Sequence, residues 1–270
     1  MRKIWNLAIL IFAGVSLLSS CSTKVEDNPE GNPSTGSEDV WGKTWDGYGR
    51  PEGVLILNQG ARLVNNSSLT YIAPDGTIEE NVYRKVNGTP FGNEAQDMWM
   101  YNGKLYILSN GIYSPNGEVS DGELVIADAV TLKLEKAYKM KDLLFKRPEG
   151  SLDEKEWLPL MTPFDNIAVL DEKNIFLSEG QGLFRFDSTT GELNIVEGGY
   201  HFGNQGNTIE EVASTRGILR IGDHLYCGGG GFWASTRLLE LSKGKNEVTR
   251  VLPDLRGDFI SGICQTGEHE

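Results

Sequence analysis

Residues able to do chemistry are unevenly spread along the 270-residue chain. Amides and aromatics gather in a few irregular stretches: Asn58 and Gln59, Asn110, Trp157, Gln181, the run Tyr200 to Gln205 with His201, and Trp233. Amides offer paired donors and acceptors, and aromatic rings offer flat apolar area. Together they suit a large, partly apolar, hydrogen-bonding ligand or a protein partner. Gln96 and Asp97 open a strand and are expected to point into a central channel. The candidate ligand-binding set is therefore Asn58, Gln59, Gln96, Asn110, Trp157, Gln181, His201 and Trp233. For Trp157 and Trp233 the alternative role is to pin their own loops.

No catalytic constellation is expected. Glu179, Glu210 and Glu211 are carboxylates, but no pair has a spacing that assigns an acid and a base. Ser178 and Ser214 lack a nucleophile elbow. The glycine run Gly228 to Gly231 is not followed by Lys-Ser/Thr or a helix, so it reads as a loop and not as a phosphate cradle. Asp75-Gly76 and Asp121-Gly122 lack the further oxygen ligands of a calcium loop. Three histidines and three cysteines, without a cluster at ligand spacing, argue against a zinc site. The expectation is a non-enzyme with no cofactor and no metal.

Position must come from strands. Gly53-Val-Leu-Ile-Leu-Asn-Gln59, Gly103-Lys-Leu-Tyr-Ile-Leu-Ser109, Lys173-Asn-Ile-Phe-Leu-Ser178 and Asp223-His-Leu-Tyr-Cys227 hold the same place in four successive repeats. Each repeat reads as four short strands, a to d, with a hairpin between a and b. Asn102-Gly103 is the clearest such turn. Repeats of this size predict an all-β chain, a β-propeller of four-stranded antiparallel blades. The first repeat lacks strand a, and Asp258 to Cys264 reads as strand a of a fifth. Either that strand completes the first blade or the chain is a piece of a larger ring; the latter is the expectation. The a–b and c–d turns are short and the b–c and d–a connections long, including Lys141 to Thr162, so binding is expected on the long-loop face.

The start of the chain is an address. Arg2 and Lys3 precede an apolar stretch, Trp5 to Leu18, that ends Leu18-Ser19-Ser20-Cys21. This order resembles a bacterial lipobox and implies a signal peptide over 1–20 and lipidation of Cys21. Residues 21–50 are polar and rich in Pro and Gly, as expected of a tether; 51–270 would be the propeller. Lys24, Glu26 and Asp27 resemble an acidic surface-export signal. The formal charge of −13 excludes nucleic acid and anionic membrane surfaces as partners, leaving membrane contact to the lipid anchor. Cys227 and Cys264 fall in expected strands and read as two buried free thiols rather than a disulfide.

Gly53 to Gly60, Asn66-Ser-Ser-Leu-Thr-Tyr71, Val86-Asn-Gly88 and Phe91-Gly92 through Ala95-Gln96 resemble the opening of YncE-like, DUF5074-type propeller lipoproteins of Bacteroidota. The likeness covers most of the chain from about residue 50 and is clearest in the first two repeats. It rests on blade scaffolding and not on ligand contacts. The group includes cobalamin-capturing surface lipoproteins of the BtuG type. The resemblance implies an outer-membrane, surface-exposed lipoprotein that captures a corrinoid, or a siderophore or haem, for a TonB-dependent transporter. A polysaccharide lyase or hydrolase and a protein-interaction scaffold are the alternatives.

Overall fold

Strand after strand carries an unbroken apolar run, as in Leu105-Tyr-Ile-Leu108 and Ile167-Ala-Val-Leu170, which calls for burial on both faces of a sheet. The computed structural model describes residues 47–61, 64–110, 122–151, 153–160, 164–179, 182–200, 217–228, 238–252 and 263–266. All lie in the unit Gly36–Glu270; the other unit, Met1–Thr35, with the leader and Cys21, lies outside the described residues.

Four sheets follow one another along the chain. β1 (Val54–Asn58), β2 (Ser68–Ile72) and β3 (Ile78–Glu79) make a three-stranded sheet. A short helix, α1 (Val82–Asn87), which the strand pattern did not announce, leads to the second sheet. That sheet is β4 (Ala95–Tyr101), β5 (Lys104–Ser109), β6 (Glu123–Asp128) and β7 (Leu134–Lys139). The insertion that follows holds β8 (Leu144–Lys146) and β9 (Trp157–Pro159). The third sheet runs through β10 (Phe164–Asp171), β11 (Asn174–Glu179), β12 (Gly182–Asp187) and β13 (Glu192–Tyr200). The fourth is β14 (Ile218–Ile221), β15 (His224–Gly228), β16 (Leu238–Ser242) and β17 (Arg250–Leu252).

Within each sheet, strands consecutive in sequence pair antiparallel. The β4–β5 turn explains why: Asn102 and Gly103 both take positive φ, 47° and 77°, a backbone whose twist matches that of the strands it joins.

Alternation along these strands assigns each face to a different neighbour. Leu105, Ile107, Val125 and Ala127 pack with Leu69 and Tyr71 of the first sheet. The interleaved Tyr106, Leu108, Leu124 and Ile126 pack with Ile167, Val169, Ile175 and Leu177 of the third. Ala168, Leu170, Phe176 and Leu183 then turn to Leu225, Cys227, Leu239 and Leu241 of the fourth. The leading strands also follow in series, β1 beside β4, β4 beside β10 and β10 beside β14.

Three expectations change. Lys141 to Thr162, expected as an irregular loop, contains a 3-10 turn (Met140–Asp142) and the β8–β9 hairpin. β8 joins the outer edge of the third sheet by parallel pairing of Phe145 with Leu193, extending it to six strands. The cause is Phe145, an apolar side chain that needs cover and finds it on Phe184 and Tyr200, with ring centroids at 5.1 and 5.7 Å. Second, only Cys227 is buried; Cys264 is exposed and outside any strand, and both thiols are free. Third, the expected strand Asp258 to Cys264 falls largely outside the described residues, and Ile263 and Cys264 are not in a strand.

Candidate ligand-binding site

The connections divide the sheets into two unlike ends. At one end the turns β4–β5, β10–β11 and β14–β15 are tight. At the other, β1–β2, β5–β6 and β15–β16 are joined by longer segments, though β11 and β12 are separated only by residues 180–181.

Four of the expected site residues meet at the long-connection end, around the start of β4. Glu94, held at φ 44°, is the hub: its carbonyl accepts from Gln96 Nε2 at 2.9 Å and from the Asn110 backbone N–H at 3.2 Å. The Gln59 carbonyl accepts from Ala95 N–H at 3.1 Å and from Ser67 Oγ at 2.6 Å. Asn58 spends its amide on Ser68 Oγ and Thr70 Oγ1, across its own hairpin. The Gln59 side chain remains exposed, while Asn110 is buried, with Oδ1 lacking a partner among the described residues.

Trp157 is elsewhere, 49% exposed on β9, the outermost strand of the third sheet. Gln181, His201 and Trp233 lie outside the described residues. Asp97 sits beside the cluster and serves as a tie: Oδ2 accepts from Ile167 N–H of β10 at 3.0 Å and Oδ1 from Met98 N–H at 2.9 Å. Burial pushes its carboxyl up, against the pull of those N–H groups and the Asn166 side chain.

The tight-turn end holds the feature the sequence reading missed. A cavity of about 710 Å³ opens between β1, β4 and β14, with Tyr48, Met98, Trp99, Met100 and Arg220 on its wall. Arg220 is 7% exposed. Its Nε donates to the Gly222 carbonyl at 2.9 Å and Nη1 to the Val169 carbonyl of β10 at 3.0 Å. The guanidinium carbon lies 4.4 Å from the ring centre of Tyr101 at the end of β4. One side chain thus joins three sheets. The signal was present in Ile218-Leu-Arg-Ile221, a lone charge in an apolar strand, but strand alternation alone does not show which face is covered.

Ion pairs brace the same end. Lys104 meets Glu172 and Glu135, and Lys243 meets Asp171 at 3.0 Å. Among the described residues no cluster of three or more His, Cys, Asp or Glu could hold a metal.

No curated protein matches the chain. A model of a domain of unknown function, DUF5074, matches residues 52–240, from the turn before β1 into β16. With that much of its length matched, including strands of all four sheets, this chain belongs to the DUF5074 family.

Proposed function

We propose that the four sheets are successive blades of a β-propeller and that the protein is a surface-anchored, non-enzymatic binding lipoprotein. It captures a corrinoid, or a similarly large siderophore or haem, and passes it to a TonB-dependent outer-membrane transporter, with Cys21 as its lipid anchor. The antiparallel four-stranded sheets β4–β7 and β14–β17 and the series of leading strands support the propeller.

The observation that carries the binding reading is the division of connections between the two ends. Tight turns at one end and long segments at the other leave one end free to vary, which is where binding residues sit on a rigid scaffold. Gln59, Gln96 and Asn110 gather there around Glu94.

Cyanocobalamin tests the reading. A ligand that binds only the native state at a hundred times its Kd adds about 2.7 kcal/mol of stability. The expected result is a rise in the melting temperature that saturates with cyanocobalamin. An unchanged midpoint at saturating corrinoid, haem and ferric siderophore alike would sink the capture reading.

A further inference from the structure

Arg220 leads beyond the long-connection end. We propose that the cavity beside it is a second site, which binds the carboxylate of an aromatic, otherwise apolar ligand.

Arg220 carries an unbalanced charge. The acceptors of the guanidinium among the described residues are two neutral carbonyls, and no carboxylate pairs with it. Its Nη2 group has no acceptor there. Burying a cation on such terms costs several kcal/mol, and a carboxylate in contact would repay that cost.

The wall reinforces this. Among the described residues it carries Arg220 and neither an aspartate nor a glutamate. A buried cation on a stretch of wall without acidic side chains favours an anion over a cation beside it.

The shape of the site narrows the ligand. Stacking on Tyr101 and the bond to Val169 fix the plane of the guanidinium, leaving its Nη edge as a preset fork for a planar two-oxygen anion. A single buried arginine suits a monoanion better than a phosphate dianion. Tyr48, Trp99, Met98 and Met100 present rings and polarisable sulfur to the rest of the ligand, and about 710 Å³ lies within the range of small-molecule pockets.

The test uses 2-naphthoate and its neutral isostere 2-naphthamide, titrated calorimetrically into the full chain. Naphthoate is expected to bind at least tenfold more tightly. Arg220→Gln should erase that preference, and Val54→Trp, a bulky change at an exposed wall residue, should abolish binding of both probes. Equal affinity for the two probes, no binding of naphthoate, or undiminished binding to Val54→Trp would each overturn the site. If Arg220→Gln fails to fold, the comparison of probes on the unaltered chain and the Val54→Trp variant still decide.

Discussion

Asp97 shows how a residue chosen for its chemistry can be occupied with architecture. Its two oxygens bind backbone N–H groups of β4 and β10, so it holds two leading strands together. Because its folded carboxyl titrates above the usual aspartate value, ionisation costs stability. The penalty is absent below the unfolded value, grows as pH rises through it, and levels off above the folded value. Asp97→Asn is therefore expected to lose less stability than the unaltered chain between pH 4 and pH 7, measured by denaturant unfolding at each pH. A wild-type advantage that widens with pH would refute this account. Reading the sequence placed Asn58, Gln59 and Asn110 on the long-connection face from strand phase, and expected Gln96 and Asp97 to point into a central channel. These two instead contact the Glu94 carbonyl and backbone N–H groups of β4 and β10. The same reading missed Arg220 because burial depends on which sheet covers a face, and no single strand records that.

Among the elements, several strands were legible residue by residue; β1, β6 and β12 have the bounds expected from the repeating strand pattern. The β8–β9 hairpin was not, because its two strands are short and its partner, β13, is distant in sequence. Its energetics should be lopsided. Phe145 is buried against Phe184 and Tyr200, so Phe145→Ala should cost about 3–5 kcal/mol. Trp157, half exposed on β9, should cost about 1 kcal/mol or less when changed to alanine. Urea denaturation of both variants checks the contrast. Equal losses would mean that β9, and not the Phe145 anchor, holds the insertion in place.

For the whole molecule, the recurrence of the strand pattern announced four sheets and the first strand of a fifth; the described residues form four sheets, and most of that fifth strand lies outside them. What recurrence could not convey is the sorting of alternate side chains into three separate cores, which arises only when neighbouring sheets press on both faces. If Cys21 carries the lipid anchor, Cys21→Ser should move the protein from the membrane fraction to the soluble fraction while leaving cyanocobalamin binding intact. Retention in membranes after fractionation would remove the lipid from the account. The outward hairpin has a further consequence for biogenesis. Chain growth delivers β8 and β9 before every strand of the sheet they extend, so Phe145 emerges into water ahead of Phe184 and Tyr200. Until β13 is made, the hairpin has no edge to join, and its docking becomes the late, non-local step in the assembly of that sheet.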